Sequence, residues 1–493
     1  MRYVSTRGFK YASLEDVILN GFAPDGGLYV PERIPVVEPD TLKSWSGLTF
    51  PELAFEVLSL FIEPSDVDPS DLRRLLDESF AAFDHPDVAP LAKTPDALVL
   101  ELFHGPTMSF KDVAMGFLVS LTDHFLRRRN ERRNVLVATT GDTGPAAAHA
   151  AIGRDRVHAW VLYPTGGFIS DTQERQMTTV DEPNVHAVGV GGCADGGDDL
   201  DAIVAKLFAD ESLREECGLG SVNSVNWGRV ACQTVHYFWA YLAAVGPDGL
   251  AAGERVAFAV PCGAFGNLFA GYVARRAGLP IARLIAATNS NGAVHDVLAT
   301  GVWRRRPLIN TVSSAIDIVV PYNFWRTVYF ALGEDADALR ATQDEYASTG
   351  EARMPAAALE HLREIFWSAS VDDDSTLATI GTFYGSSAPR PPDAGRYLMC
   401  PHTSVAAVTA ARARAHDPEV GGCEVVVLAT AAPCKFPEVI RRALDDLELD
   451  DVPELEHPRV AAQRELAQKE TKCTLEGLEN HMREALRRYP RVS

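Results

Sequence analysis

Apolar residues recur along the chain with two periods, and the change between them divides the sequence. Up to about residue 88 they recur at helical spacing, as at Leu53, Val57 and Phe61. Beyond that point, short apolar runs alternate with amphipathic stretches. The runs predict strands at 97–102, 134–138, 157–163, 185–190, 256–260, 284–287, 397–400 and 425–429, and the stretches predict helices at 113–128, 145–152 and 268–277. Strands that alternate with helices predict parallel sheets, whose ligand sites lie where the strands end.

The composition is that of a globular protein with an acidic surface. The 493 residues include 46 Lys and Arg against 67 Asp and Glu, a net charge of −21. Such a surface repels nucleic-acid backbones and anionic membranes, so neither is an expected partner. The N-terminus lacks the apolar core of a signal peptide, and no run approaches about 18 apolar residues, so we expect a cytoplasmic protein. Eight cysteines without a C-x-x-C pair argue against zinc and disulfides.

The stretch 104–112, His-Gly-Pro-Thr-Met-Ser-Phe-Lys-Asp, lies between a predicted strand and a predicted helix. Ser109 is suited to cap the helix, which places Lys111 in the first helical turn. A cation there opposes the helix dipole, which favours the neutral amine that an imine-forming lysine needs. The same stretch also fits a surface lysine at a helix start, paired with Asp112, and the local pattern alone does not decide between them.

The stretch 137–145, Val-Ala-Thr-Thr-Gly-Asp-Thr-Gly-Pro, places hydroxyls and glycines between a strand and a helix. Hydroxyl and backbone N–H groups at a helix start bind anions such as a carboxylate. The alternative is a turn in which Thr and Asp side chains cap the helix and Pro145 begins it. That alternative accounts for one cap, but not for the run of polar side chains with two glycines.

Two further loops follow apolar strands. The loop in 260–267, Val-Pro-Cys-Gly-Ala-Phe-Gly-Asn, suits a phosphate held by backbone amides, although many tight turns look alike. It matches neither a Walker loop nor G-x-G-x-x-G. In 429–436, Thr430 could present a neutral hydroxyl to a ring nitrogen and Lys435 could meet an anion. The alternative is an ordinary loop stabilised by proline.

The stretch 221–229 spaces asparagines and an arginine among small residues. Asn226 and Arg229 are therefore candidates to bind phosphate or carboxylate oxygens, and a plain polar loop is the alternative. The glycine cluster at 189–197 fails the dinucleotide fingerprint at its last glycine, so a nicotinamide dehydrogenase is disfavoured.

An imine-forming lysine, a hydroxyl loop for a carboxylate and a glycine loop for a phosphate together describe a pyridoxal-phosphate enzyme acting on an amino acid. In this order the motifs resemble the threonine synthase family of fold-type II pyridoxal-phosphate enzymes. The resemblance extends from 3–8 and 21–31 to Lys435, nearly the whole chain. It implies an α/β, tryptophan synthase β-like fold with two parallel-sheet domains and an N-terminal helical segment. The implied divisions are an N-terminal segment 1–92, a large cofactor-binding domain 93–130 with 251–446, a smaller substrate domain 131–250, and a helical tail 447–493.

The resemblance also implies roles for individual residues. Lys111 is expected to carry pyridoxal 5′-phosphate as an imine, the 263–267 loop to hold its phosphate, and Thr430 to face its pyridine nitrogen. The implied cofactor contacts are Phe110, Lys111, Asp142, Gly263, Ala264, Phe265, Gly266, Asn267 and Thr430. The implied substrate contacts are Thr139, Thr140, Gly141, Thr143, Asn226, Arg229 and Lys435. No metal is expected. A non-catalytic sensor on the same scaffold would have no use for such a lysine.

Some positions depart from the family pattern. Thr140 stands where the family often has serine, and 263–267 reads Gly-Ala-Phe-Gly-Asn instead of Gly-Asn-Phe-Gly-Asp. The stretches 176–180, 223–227, 317–323 and 400–404 resemble the threonine-synthase-like branch, some members of which are similar to phospho-lyases.

The implied reaction converts O-phospho-L-homoserine and water to L-threonine and phosphate, by γ-elimination and then β-addition. The alternative is a phospho-lyase that gives 2-oxobutyrate, ammonia and phosphate, or a related reaction on another γ-phosphorylated or phosphonate amino acid. The expected partner is thus a small phosphorylated amino acid, and the expected assembly is a monomer or homodimer.

Overall fold

The structure, a computed structural model, describes residues 1–94, 97–194, 196–385, 396–445 and 452–491. Strands and helices alternate along most of the chain, as the apolar pattern predicts. The strands are β1 (Tyr3–Ser5), β2 (Tyr29–Pro31), β3 (Leu91–Lys93), β4 (Leu98–Glu101), β5 (Arg133–Ala138), β6 (Val157–Pro164), β7 (Val185–Gly191), β8 (Leu219–Gly220), β9 (Val256–Pro261), β10 (Ile281–Thr288), β11 (Val302–Arg304), β12 (Glu351–Arg353), β13 (Phe366–Ser370), β14 (Glu424–Ala429) and β15 (Thr471–Thr474).

Helices flank the strands. They are α1 (Leu14–Asn20), α2 (Pro39–Ser44), α3 (Phe50–Leu58), α4 (Pro69–Phe80), α5 (Lys111–Arg129), α6 (Thr143–Ala150), α7 (Asp171–Thr178), α8 (Gly197–Ala209), α9 (Glu211–Cys217), α10 (Trp227–Ala252), α11 (Gly266–Arg276), α12 (Ala293–Thr300), α13 (Phe324–Ala331), α14 (Ala336–Thr349), α15 (Ala356–Ile365), α16 (Asp373–Tyr384), α17 (Pro401–His416), α18 (Pro418–Gly421), α19 (Pro437–Ala443), α20 (Pro458–Arg464) and α21 (Leu475–Leu486). Within the described ranges, none of them combines the length and apolar character needed to cross a membrane.

The larger sheet has the strand order β13-β10-β9-β14-β4-β3, and its strands are parallel except for β3, which runs antiparallel to β4. All six residues of β9 are buried, as are five of the six in β14. Continuous apolar strands of this kind form parallel sheets that helices cover on both faces. The predicted parallel α/β architecture is thereby confirmed for this domain.

The smaller sheet has the order β15-β7-β6-β5-β8 and is parallel throughout. Its edge strand β15 comes from the C-terminal region, where Cys473 lies opposite Val190 of β7. Helix α21 buries Leu478, Met482 and Leu486 in the same core. The C-terminal region therefore supplies an edge strand and a packed helix to the smaller sheet. The predicted boundary at 446–447 lies outside the described residues.

Helix α10 joins the two sheets but packs with the larger domain. The Tyr237 ring contacts Phe258 of β9 edge-on, with centroids 5.0 Å apart, and Trp239 meets Phe50 of α3 at 5.4 Å. A kink at Gly246, where φ is +62°, ends its straight part. Residues 227–250 thus lie with the larger domain and the N-terminal segment, although the sequence assigned them to the smaller one.

One predicted strand is wrong. Residues 397–400 form no strand and lead into α17, with Cys400 at the N-cap and Pro401 as the first helical residue. Met399 and Cys400 are nevertheless buried, as strand residues would be. An apolar run of four residues reports burial and does not distinguish a strand from the extended entry to a helix.

Candidate active site

Three of the motif loops meet because the strands that precede them are neighbours. β9, β14 and β4 lie side by side and parallel, so their carboxyl ends open on one edge of the larger sheet. Backbone contacts join two of the loops: Ser109 pairs with Ala431, and the Phe110 N–H donates to the Thr430 carbonyl at 2.8 Å. The sheet topology therefore assembles motifs that lie far apart in the chain.

Lys111 is the first residue of α5 at this edge, and its side chain is only 13% exposed. The interpretation as a surface lysine paired with Asp112 is therefore wrong. The Asp112 carboxylate instead accepts hydrogen bonds from the Thr107 N–H at 2.8 Å and the Thr107 hydroxyl at 2.6 Å. A Cβ on Gly105 would lie 2.4 Å from the Asp112 Cβ, so this turn requires glycine.

The prediction that Ser109 caps α5 is also wrong. Phe110 precedes the helix, and no side chain caps it. The Ser109 hydroxyl is buried and has no hydrogen-bond partner in the described part of the chain. Asp112, the second helical residue, stabilises the turn that precedes the helix by accepting from Thr107 and Ser109.

The surroundings of Lys111 favour its neutral amine. Burial lowers the pKa of Lys111 to about 8, and the nearby Asp142 carboxylate offsets only part of this effect. The cations of Arg229 and Lys435 lower the pKa further. The Lys111 Nζ lies 3.8 Å from an Asp142 carboxylate oxygen and 4.9 Å from the centre of the Phe110 ring. At a pKa of about 8, roughly a tenth of the amine is neutral at pH 7, far more than for an ordinary lysine, and the neutral amine is the form that attacks an aldehyde.

Asp142 is the acidic counterpart of this amine. Its Oδ1 accepts from Lys435 Nζ at 2.7 Å and from Gln173 Nε2 at 2.9 Å. Burial alone would raise the pKa of Asp142, but the ammonium groups of Lys435 and Lys111, together with these hydrogen bonds, hold it well below its usual range. Asp142 occupies the N-cap position of α6 without a capping hydrogen bond, so the capping interpretation of this loop fails for Asp142.

The rest of the 139–144 loop is shaped by a single hydroxyl. Thr139 Oγ1 accepts from the N–H groups of Gly141 at 3.1 Å and Gly144 at 3.3 Å, and it donates to the Gly141 carbonyl. The side chains of Thr140 and Thr143 remain partly exposed at the start of α6. Thr139 therefore stabilises the loop, whereas Thr140 and Thr143 are more exposed than Thr139.

The 263–267 loop forms a cradle at the start of α11. Phe265 adopts a left-handed conformation with φ of +65°, which turns the chain into the helix. A Cβ on Gly263 would lie 3.1 Å from Ile316 Cα. The Asn323 side chain and backbone N–H both donate to the Ala264 carbonyl, at 3.0 and 3.2 Å. The loop is thus held from behind, and the helix N-terminus supplies N–H groups for an anion.

Two predicted binding side chains serve the fold in this structure. Asn267 Oδ1 accepts hydrogen bonds from His236 and Tyr237 of α10, each at 2.9 Å. Asn226 caps α10: its Oδ1 accepts from the Gly228 N–H at 3.0 Å, and its amide donates to two backbone carbonyls. Both side-chain oxygens are therefore used by the fold, whereas Asn267 Nδ2 is buried and has no partner among the described residues.

The two predicted phosphate-binding cations differ in their surroundings. Lys435 is fully buried, and its ammonium contacts Asp142 and the Thr107 carbonyl, the latter at 2.7 Å. Arg229 is also buried, which lowers its pKa to about 10, and Nη1 donates to the Val222 carbonyl at 3.2 Å. Its Nε has no partner among the described residues. Arg229 therefore has one buried donor without a partner among the described residues, whereas Lys435 is paired within the protein.

The sequence pattern does not reveal some residues of the site. Gln173 and Gln176 are buried on one face of α7, three residues apart, although polar residues on a short helix usually face solvent. The three-residue spacing, which puts both glutamines on one face of the helix, is the signal by which the sequence could have identified them. His402 Nε2 accepts from the Ala315 N–H at 3.1 Å, and burial lowers its pKa to about 4, so it is a neutral acceptor.

These residues fit pyridoxal phosphate. The Lys111 amine suits the aldehyde, the left-handed turn and helix start at Gly266 suit the phosphate, and the Thr430 hydroxyl follows the strand between the other two loops. The donors come from three adjacent strand ends, so one flat cofactor could reach all of them.

Comparisons with known proteins find similar chains over nearly the whole length of this one. Family models for the threonine synthase N terminus and for the threonine synthase C-terminal region match residues 2–80 and 403–489. The threonine synthase of Pseudomonas aeruginosa is 39% identical over 90% of this chain and 90% of its own length. Human threonine synthase-like 2 is 36% identical over 96% of this chain and 94% of its own. A crystal structure of PLP-bound threonine synthase from Brucella melitensis matches with a TM-score of 0.88 and 35% identity over 99% of each chain.

Proposed function

The chain belongs to the threonine synthase family, and we propose that it converts O-phospho-L-homoserine and water to L-threonine and phosphate. It is a fold-type II enzyme, a lyase that uses pyridoxal phosphate. The observation that carries the proposal is the buried Lys111 amine, 3.8 Å from Asp142, where three strand-end loops converge.

Lys111 would hold the cofactor and move protons. Gly263 to Gly266 and the start of α11 would hold the cofactor phosphate, and Thr430 would offer a neutral hydroxyl to the ring nitrogen. When bound, pyridoxal phosphate supplies the electron sink for the substrate Cα carbanion. The Lys111 amine would take the Cα proton, release it within the site and, neutral again, take a Cβ proton. Asp142 would stabilise the ammonium formed at each transfer.

The substrate is oriented by groups of the 139–144 loop, the start of α6 and α10. Thr140, Thr143 and the N–H groups at the start of α6 bind its carboxylate. Arg229, with its free Nε, binds the phosphate, and the Asn226 cap fixes the first turn of α10 on which Arg229 lies. Phosphate leaves from Cγ, water adds at Cβ, and returning protons complete the Cγ methyl group and Cα.

The second candidate is a phospho-lyase on the same substrate. The similarity to a threonine synthase-like protein over nearly the whole chain supports keeping it. The two reactions share the release of phosphate and differ afterwards. Addition of water at Cβ gives threonine. If no water adds at Cβ, hydrolysis of the remaining imine gives 2-oxobutyrate and ammonia.

Product analysis tests the proposal. Purified holoenzyme incubated with O-phosphohomoserine should release phosphate and threonine in equal amounts. The Lys111→Ala variant should lose about 10³-fold or more of the phosphate release, because both proton transfers need this amine. Lys472→Ala, at an exposed position of β15, is the control and should keep it. Phosphate with 2-oxobutyrate would establish the lyase instead, and an active Lys111→Ala variant would contradict both reactions.

A further inference from the structure

Lys435 is a second lysine in this site, and its burial is unusual. Its side chain is 0% exposed in the 3₁₀ turn Pro433–Lys435 that follows β14. Its Nζ lies 2.7 Å from Asp142 Oδ1 and 2.7 Å from the Thr107 carbonyl oxygen. A buried ammonium is costly unless it is well paired. The anion that Lys435 meets is thus a carboxylate of the protein itself.

The two oxygens of Asp142 have different partners. Oδ1 accepts from Lys435 and from Gln173, whereas Oδ2 faces Lys111 Nζ at 3.8 Å. Asp142 and Gln173 belong to the smaller domain, and both lysines belong to the larger one. The carboxylate is therefore fixed across the domain boundary with one oxygen directed to Lys111.

We propose that Lys435 is a positioning residue for Lys111: its buried ammonium holds the Asp142 carboxylate across the domain boundary and shares the negative charge that faces the Lys111 amine. The inference rests on the proposed role of Lys111 as the cofactor-binding lysine. Lys435 is then absent from the substrate phosphate site, and Arg229 is the cation left for it.

The charges around Lys111 show why this sharing matters. Asp142 and Asp112 favour a protonated nitrogen at Lys111, whereas Arg229 and Lys435 disfavour it. His402, from α17, is neutral because burial lowers its pKa to about 4. Lys435 disfavours the protonated nitrogen at Lys111 in two ways: its positive charge repels that nitrogen directly, and it neutralises part of the negative charge of Asp142. Its removal should therefore favour the protonated nitrogen.

If Lys435 only held the two loops together, loss of any hydrogen bond between them should have the same effect as loss of Lys435. Gln176 of α7 also crosses the domain boundary, and its Nε2 donates to the same Thr107 carbonyl at 3.0 Å. Gln176→Leu removes such a contact without changing any charge. It is therefore a matched control for the hydrogen bond alone.

The experiment is a pH titration of the visible cofactor band in full-length holoenzyme. Borohydride reduction and peptide mass mapping first locate the cofactor. The Lys435→Met variant should raise the pH midpoint of the cofactor band by about one pH unit. Lys435→Gln should raise it equally, because glutamine keeps a hydrogen-bond donor but lacks the positive charge. Lys435→Arg should restore the wild-type midpoint, and Gln176→Leu should leave it unchanged.

The outcomes separate this inference from the proposed function. If the reduced adduct maps to another residue, the assignment of Lys111 fails and the inference fails with it. If it maps to Lys111 but neither neutral variant raises the midpoint, only the inference is overturned. A shift of equal size in Gln176→Leu would also overturn it. If Lys435→Met does not fold, Lys435→Gln decides the question alone.

Discussion

Two loops of this protein, 139–144 and 262–266, look alike in sequence and differ in how they work. Each follows a buried parallel strand, contains two glycines and leads into a helix. The first places a carboxylate, Asp142, between two lysine ammonium groups. The second places backbone around a left-handed turn at Phe265 and is held by Asn323. The same strand, glycine loop and helix pattern thus positions a charged side chain in one case and forms a backbone cradle in the other.

The difference follows from what lies opposite each loop. The 139–144 loop faces the other domain, whose Lys111 and Lys435 supply positive charge. The 262–266 loop lies within its own domain, packed against 316–323. A buried charge requires a partner of opposite sign, whereas a helix start already presents polarised N–H groups. The comparison teaches that two glycine loops of similar sequence can contribute different groups, a buried side-chain charge in one and backbone N–H groups in the other.

The largest effect should come from Asp142→Asn, which breaks the first loop's ion pairs. It leaves Lys435 buried without a counter-charge, and breaking such a pair typically costs about 3–5 kcal/mol. The midpoint of the cofactor band should also fall, because a carboxylate no longer favours the protonated nitrogen at Lys111. Urea unfolding and absorption titration measure the two effects.

The control for this change is Asp171→Asn. Asp171 forms an exposed pair with Arg175 at 3.1 Å, so its loss should cost less than about 1 kcal/mol and leave the band unchanged. Equal costs for the two variants would show that Asp142 acts as an ordinary surface charge, and the contrast between the loops would fail.

A smaller effect should come from Gly144→Ala. Its Cβ would lie 2.5 Å from Met177 Sδ and 2.5 Å from Thr139 Cγ2, so the variant should lose about 1–3 kcal/mol of unfolding free energy through overpacking. Gly141→Ala is the matched control, since its Cβ would meet Ala315 at an ordinary 3.5 Å. The argument from packing is contradicted if denaturant unfolding gives both variants the same stability.

The smallest effect should come from the second loop. Asn323→Ala removes one of two hydrogen bonds to the Ala264 carbonyl, together with the contacts to Ser224 and Arg326. The bond to Ala264, which acts on the loop, is worth about 1 kcal/mol. Affinity for pyridoxal phosphate should fall about fivefold, because the cradle is less rigid, while the midpoint of the cofactor band stays fixed. Fluorescence titration of cofactor-free protein measures the affinity. A shifted midpoint would mean that the two loops are coupled and not separate in function.

The comparison also shows how far the sequence predicted the candidate site. Strand-to-helix junctions at 104–112, 139–145 and 260–267 were predictable, because apolar period and glycine position are local properties. The direction in which each side chain points was not predictable from the sequence. Asn226 and Asn267 suit a phosphate by residue type, but their amides cap or brace α10. Only packing of distant segments decides which polar groups are used by the fold.

By itself the sequence determined the parallel α/β architecture, the order of the motif loops and the burial of the strands, since each depends on residues close together in the chain. Only the tertiary structure decided that β9, β14 and β4 would be neighbours, that 471–474 would complete the smaller sheet, and that Asp142 would meet Lys435. The physical reason is that a buried charge is stable only beside its counter-charge. Lys435 lies 293 positions from Asp142, where no local pattern can specify it.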